Sequence, residues 1–385
     1  MLGNKINNIP DGWKVEHIED FASIKTGTGD TQDREDGGKY PFFVRSNTIE
    51  RVNKYTFDGE GVLTSGDGVG VGKIYHYVNG KFHYHQRVYN IHNFKPHVLG
   101  RYFYQFFRYR FFQRVSRMSA KGSVDSVRME MIAKMSILIP SIQEQRKIAD
   151  ILSTVDKKID LIDQKIAETE KLKTSLMQKL FSEGVGVQDE NGNWQPHTEF
   201  SSYLVPSSWE VGEVIDFLEL QRGHDLPIQS RMGGSVPIIG SNGIAGYHSQ
   251  AVVEESGVIT GRSGTLGKVY FSESSFWPLN TSLYIRDFKG NSKKYCFYFL
   301  ENLNLKRFGT GTGVPTLNRN IVHKQKAAFP PLIEQEKITE ILDAVSLKKQ
   351  ILEQQKAETQ QLKKGLMQKL LTGEWRVPVE ETEAA

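Results

Sequence analysis

Two glycine-rich segments carry the residue types from which a phosphate or nucleotide site could be built: VLTSGDGVGVGKIY at 62–75 and VITGRSGTLGKVY at 257–270. Glycine lets a backbone approach a ligand closely, and the lysine that follows can meet a phosphate. A Walker loop needs G-x-x-x-x-G-K-[ST]. At 67–74, however, Asp67 stands where the first glycine belongs, and Ile74 where the metal-binding hydroxyl belongs. The dinucleotide pattern G-x-G-x-x-G fails as well, because Gly68 and Gly70 lead to Lys73. Residue chemistry leaves open whether these segments touch a ligand or are strand–turn–strand units whose glycines supply positive φ. KFHYHQR (81–87) sets His83 and His85 on one side of a strand. With no cysteine or carboxylate cluster to complete a metal site, a structural or polar role is expected for both. No H-E-x-x-H, nucleophile elbow or Asn/Asp-Pro-Pro-aromatic segment is present. The single cysteine, Cys296 in YCFYFL, reads as a core residue, rules out an intramolecular disulfide and makes the cytosol the natural compartment.

These segments sit in a chain that repeats itself. AETEKLKTSLMQKL at 167–180 returns as AETQQLKKGLMQKL at 357–370. Aligned at an offset of 190, residues 140–180 and 330–370 agree at 20 of 41 positions without a gap, which indicates an internal duplication. Pro140/Pro330 and Glu144-Gln145/Glu334-Gln335 open the repeat, and Leu176–Leu180/Leu366–Leu370 close it. The period is too long for a solenoid, so each unit should be a domain plus a connector. Residues 143–180 lack Pro and Gly, and Ile148, Leu152, Val155, Ile159, Ile162 and Ile166 follow the 4-3-4-3 spacing of a coiled-coil seam. Proline before and Gly184 after bound a helix of roughly 38 residues, about 57 Å long. One such helix cannot bury its seam alone, and the second copy is its natural partner. In that copy Lys349 and Lys356 replace Ile159 and Ile166, in surroundings the sequence leaves open.

The segments between the helices repeat more faintly. Each opens on a turn and a tryptophan (Trp13, Trp209) and continues through an apolar stretch ending in Ser-Asn (PFFVRSN, VPIIGSN) to the glycine-rich segment. There, at an offset of 195, Gly66/Gly261, Gly72/Gly267, Lys73/Lys268 and Tyr75/Tyr270 coincide. Aromatic stretches (101–112, 295–300) and small polar loops (119–130, 309–320) lead into the helices. Short apolar β-type runs bounded by Gly, Asn and Asp predict two α/β globular domains, each followed by a long helix. Hydrophobic content of 38% and charged content of 24% are those of a folded globular chain, and a net charge of +4 is compatible with a polyanion partner. No apolar run reaches the ~20 residues of a membrane span, and no signal-peptide stretch opens the chain, so no membrane association is expected.

A P-x-x-E-Q element opening a heptad helix that closes on L-M-Q-K-L, duplicated around two divergent domains, resembles the specificity (S) subunit of type I restriction–modification enzymes. PSIQEQRKIADILSTVD and PPLIEQEKITEILDAV match that family's helix openings, and GRSGTLGKVY and GVPTLNRNIV look like its target-recognition domains. GDGVGVGK departs from this, being more glycine-rich and more acidic than its counterpart. The resemblance covers essentially the whole chain. It implies mixed α+β (α/β) target-recognition domains in two pseudo-repeated copies, separated by two long helices forming an antiparallel coiled coil. The bounds expected are 1–142 and 184–332 for the recognition domains, 143–183 and 333–374 for the helices, and 375–385 for a tail.

The resemblance further implies a cytoplasmic, non-catalytic subunit. Each domain would read one half of a bipartite, asymmetric site in double-stranded DNA. Two modification subunits, and two restriction (motor–nuclease) subunits in the full complex, would carry the methyl donor, ATP and Mg for adenine methylation or cleavage. The S chain itself would need no cofactor or metal, and alone it should neither methylate nor cleave DNA. Base readout needs donors and acceptors at base edges. The candidates are Arg45, Asn47, Gly66, Asp67, Lys73, Lys121 and Arg128 in the first domain, and Asn242, Gly261, Arg262, Ser263, Thr265, Lys268, Asn318 and Arg319 in the second. Two other readings are a stand-alone DNA-binding or architectural protein on a coiled-coil strut, and an enzyme with an unrecognised site near His83/His85.

Overall fold

The computed structural model describes residues 9–68, 70–118, 126–311 and 315–379. The chain divides into two units, Met1–Asp163 with Gln354–Ala385, and Gln164–Glu353. In the first, β1 (Lys14–His17) leads through the short α1 (Ile18–Phe21) to β2 (Ser23–Thr26), β3 (Tyr40–Phe43) and β4 (Ile49–Val52). Next come β5 (Phe57–Ser65), β6 (Tyr75–Tyr84), β7 (Val88–His92), α2 (Gly100–Met118), α3 (Met129–Ala133) and β8 (Ser136–Ile139). A helix, α4 (Ile142–Leu180), then runs from the first unit into the second. There β9 (Val187–Gln188), β10 (Trp194–Gln195), β11 (Glu210–Glu213), α5 (Val214–Phe217), β12 (Glu219–Arg222), β13 (Val236–Gly240) and β14 (Gly243–His248) follow. The unit continues with β15 (Gly257–Gly261), β16 (Val269–Ser272), β17 (Trp277–Pro278), β18 (Ser282–Asp287) and α6 (Lys293–Asn302). It ends with β19 (Gly309–Thr310), β20 (Thr316–Leu317), α7 (Arg319–His323), β21 (Lys326–Phe329) and α8 (Leu332–Leu371), whose last part returns to the first unit.

Sheet order carries the repeat. β2-β7-β5-β6 in the first unit answers β12-β18-β15-β16 in the second, and β1-β8 answers β11-β21. The difference lies at one edge. β3 joins β6 in parallel and extends a six-stranded sheet, whereas β13 pairs in parallel with β17 and makes a separate three-stranded sheet. The fold is a mixed α+β domain present twice.

Each unit has its own core. In α2, Tyr102, Phe103, Phe106, Phe107 and Phe111 recur at helical spacing and are all buried. Phe103 stacks on Phe107 at 5.3 Å and Phe107 on Phe111 at 4.3 Å. The seam residues Ile148 and Leu152 join this core together with Met367 and Leu370 of α8, while their repeat-mates Ile338 and Leu342 join the second core with Leu180 of α4. Thus the start of α4 packs with the end of α8 in one unit, and the end of α4 with the start of α8 in the other: the helices run antiparallel. Burying each such Ile or Leu contributes about 1.5–3 kcal/mol. Cys296 is fully buried in the second core, and burial pushes its thiol pKa up.

The structure explains the duplicated Glu-Gln. Glu144 accepts from the Trp13 indole N–H at 3.1 Å, and Glu334 from that of Trp209 at 2.9 Å. Gln145 accepts from Leu99 N–H at 2.8 Å, just before α2, and donates to the carbonyls of His97 and Pro140. Gln335 likewise accepts from Ser292 N–H at 2.9 Å, just before α6, and donates to the Pro330 carbonyl. The pair therefore ties the entering tryptophan and the domain helix to the start of each long helix. Helix α4 stops before Gly184, whose φ of +71° favours glycine and whose Cβ would fall 2.2 Å from Glu334 Oε1. Among the described residues no helix is long and apolar enough to cross a membrane.

Candidate nucleic-acid interface

In the first unit the glycine-rich segment leaves β5 and is fixed by its backbone. Gly66 donates to Arg87 O at 2.8 Å, and its own carbonyl accepts from Val127 N–H at 2.7 Å. This delivers Asp67 between two arginines, with Arg45 Nη1 at 2.8 Å from one carboxylate oxygen and Arg87 Nη1 at 2.5 Å from the other. Burial pushes the Asp67 pKa up, but the hydrogen bonds and charges of Arg45 and Arg87 outweigh it and hold the carboxyl below its usual range. Arg87 is itself anchored, since its N–H donates to His85 Nδ1 at 3.0 Å. Desolvation, then the charge of Arg45, lowers the His85 pKa and favours the neutral ring that this contact needs.

Of the residues expected in this domain, Arg45, Gly66 and Asp67 meet. Asn47 is exposed in the bend after β3, and Arg128 is exposed just before α3. Lys73 is exposed, with its ammonium 5.8 Å from the Phe112 ring. Lys121 lies outside the described residues. Each of the two Asp67 carboxylate oxygens is met by an arginine. Arg87, the last residue of KFHYHQR, carries no motif signal in the sequence. His83 pairs with Thr56 Oγ1 at 2.9 Å and stacks on Phe42. Among the described residues no group of three or more metal-ligating side chains occurs.

In the second unit Gly261 turns the chain out of β15, and a Cβ there would lie 1.9 Å from Thr265 O. The N–H groups of Arg262 and Ser263 both donate to Thr281 O, at 2.9 and 3.1 Å, and Arg262 O accepts from Leu317 N–H at 2.7 Å. Arg262 lines a groove of about 750 Å³ with Arg222, Arg286, Asn318 and Arg319. Acidic relief there is slight: Arg286 lies 3.4 Å from Glu219 and Arg222 3.6 Å from Asp225. Arg319 donates to Leu220 O at 3.3 Å, and the Asn318 side-chain oxygen caps α7 by accepting from Asn320 N–H. The groove thus brings together Arg262, Asn318 and Arg319 of the expected residues. Thr265 instead donates to Asn242, and Lys268 lies over Tyr270. Arg222 and Arg286 carried no motif signal, because only the pairing of β18 with both β12 and β15 brings them to Arg262. Four guanidinium groups around one open groove, offering planar forks of donors, suit phosphates or the acceptor edge of guanine.

A family model described as the type I restriction modification DNA specificity domain matches residues 10–171 and 206–361. A putative type I restriction enzyme MjaX specificity subunit from Methanocaldococcus jannaschii is 24% identical over 421 residues, covering 97% of this chain and 96% of that one. The EcoDI specificity subunit of Escherichia coli is 27% identical over 147 residues, covering 38% of this chain and 32% of its own. Among solved structures, the S subunit of a type I restriction–modification system from M. genitalium superposes with a TM-score of 0.68 at 18% identity, covering 96% of this chain and 98% of the other.

Proposed function

The chain belongs to the type I restriction–modification DNA specificity family, as a non-catalytic DNA-recognition subunit, and from that premise we propose that its two units read different halves of one bipartite, asymmetric site. The observation that carries this reading is one scaffold bearing two charge patterns. At equivalent turns, the first unit has an arginine pair braced by Asp67 and the second a groove of four arginines. Arginine pairs bidentately with guanine O6 and N7, and each such contact contributes roughly 1–3 kcal/mol of discrimination. Asn47, Lys73 and Arg128, exposed near the first turn, would meet phosphates or neighbouring bases.

The long helices would set the distance between half-sites and dock two identical modification subunits. Matched exposed apolar positions support the docking: Leu161 and Leu172 of α4 recur as Ile351 and Leu362 of α8, all 46–56% exposed. Each unit presents one residue from each helix. The methyl donor, ATP and Mg would be held by the partner subunits, two restriction subunits completing the cleaving complex.

The test is methylation mapping of DNA from cells carrying this chain with its modification subunit. Arg262→Ala is expected to relax one half of the motif and Arg87→Ala the other, each at a cost of roughly 1–3 kcal/mol. A motif unchanged in both halves in the Arg262 variant would remove that residue as a reader.

A further inference from the structure

Lys349 and Lys356 stand where the first helix has isoleucines, and their partners form a pattern. Lys349 Nζ lies 2.7 Å from Glu170 Oε1 in the second unit. In the first, Lys356 Nζ lies 2.6 Å from Asp163 Oδ1, and Lys363 bonds Asp156. Each step of seven residues forward along α8 is matched by a step of seven backward along α4, so all three pairs obey one antiparallel register. The pairs differ in burial. The Lys349 and Lys356 side chains are about one-third exposed, whereas Lys363 is only 8% exposed and its Asp156 also takes Gln105 and Arg108 of α2.

The repeat supplies the comparison that gives this pattern meaning. At the offset of 190, α8 has Ser346, Glu353 and Gln360 where α4 has Asp156, Asp163 and Glu170. Were α8 to pair in the same register with the α8 of a second chain, Lys349 would face Gln360, Lys356 Glu353 and Lys363 Ser346: one acid for three lysines. Were α4 to pair with α4, Asp156 would face Lys173 while Asp163 and Glu170 faced Ile166 and Ile159. A slip of one heptad is also penalised. In one direction it sets Lys363 against Ala149, and in the other Lys349 against Met177. The apolar seam, being so alike in the two helices, distinguishes none of these alternatives well. Charged groups along a seam are the established way to choose partner and register at some cost in stability.

We propose that Lys349, Lys356 and Lys363, with Glu170, Asp163 and Asp156, are the register residues that make α8 recognise α4 of its own chain in a single alignment. Two duplicated helices free to pair like with like would assemble the chain wrongly, and this ladder makes the pairing of unlike copies the only fully neutralised one.

The test uses the full chain with spin labels at Glu168→Cys and Glu336→Cys, both exposed, both in the second unit and well separated along the helix pair, so that a slip in either direction changes their distance. Cys296 is buried and left in place. Lys349→Glu/Lys356→Glu, Asp163→Lys/Glu170→Lys and the variant carrying all four changes are compared with the unaltered sequence. Each double variant is expected to lower the melting midpoint by several degrees. Each should also add a second label-to-label distance, displaced by about 10 Å, the length of one heptad. The fourfold variant is expected to return to the single original distance and to a midpoint near the original. A double variant that fails to fold while the fourfold one folds in the original alignment supports the proposal equally. Double variants that keep the single distance, whatever their midpoint, overturn it, as does a fourfold variant that does not recover.

Discussion

Asp67 and His85 hold the same arginine from two sides, and they respond to pH in separate windows. The Asp67 carboxyl titrates below its ordinary value, so the stability it contributes is complete above about pH 3.9 and is lost only as pH falls through its folded value. His85 is lowered by desolvation and by Arg45, and His323 by desolvation and by Arg319. A histidine lowered in the fold binds protons more readily when unfolded, so its contribution is complete above about pH 6.5 and is lost on acidification below that. His323 Nε2 moreover accepts from Leu220 N–H at 2.9 Å, which a protonated ring cannot do. Urea midpoints are therefore expected to fall between pH 7.5 and pH 5.5, and to fall less steeply in His85→Gln/His323→Gln. An equal slope in that variant would assign the loss to other groups. At this scale the sequence singled out Arg45, Asp67 and Arg262 as candidates for base readout. It could not show that Asp67 is spent on arginines, because Arg87 lies 20 residues away and reaches it only through the β5–β7 pairing.

The elements were legible in proportion to how local their causes are. The 4-3-4-3 spacing and the flanking proline and glycine delimit α4 to within a residue or two, since helix bonds and seam are both short-range in sequence. Sheet order was not legible: β2 pairs with β7, and β12 with β18, across more than sixty residues. The meaning of the repeated Glu-Gln was hidden for the same reason, its partners being a tryptophan 131 or 125 residues away. Glu334 is 2% exposed and accepts from Trp209, from Val185 N–H at 2.8 Å and from Gly186 N–H at 3.0 Å. Glu334→Ala leaves these donors buried without an acceptor and is expected to cost about 2–4 kcal/mol, read as a lower denaturant midpoint at constant slope. Trp209→Phe, which removes one donor and leaves the others satisfied, should cost distinctly less.

For the whole molecule, two helices of 39 and 40 residues that each serve both units invite a measurement of length. Inserting four residues into one helix adds roughly 6 Å, about two base-pair steps. The methylated motif is then expected to keep both half-sites and to gain one to two base pairs of spacer. A seven-residue insertion keeps the seam in phase and serves as the control for the stutter that four residues introduce. An active four-residue variant with an unchanged spacer would mean that something else fixes the distance. The two-copy plan itself was plain in the sequence, because duplication leaves identity that no folding is needed to see. Arg376, beyond the end of α8, has a consequence of another kind. It clasps Glu144 at 2.8 and 3.0 Å and donates to Asp11 O at 2.9 Å, in the unit built around Trp13. A translation product broken off before this residue keeps every strand and both helices, yet leaves a carboxylate that is only 3% exposed without its cation. The cost, about 1–3 kcal/mol, falls on the first-made domain. Products broken off there would therefore be opened by proteases ahead of chains that carry Arg376.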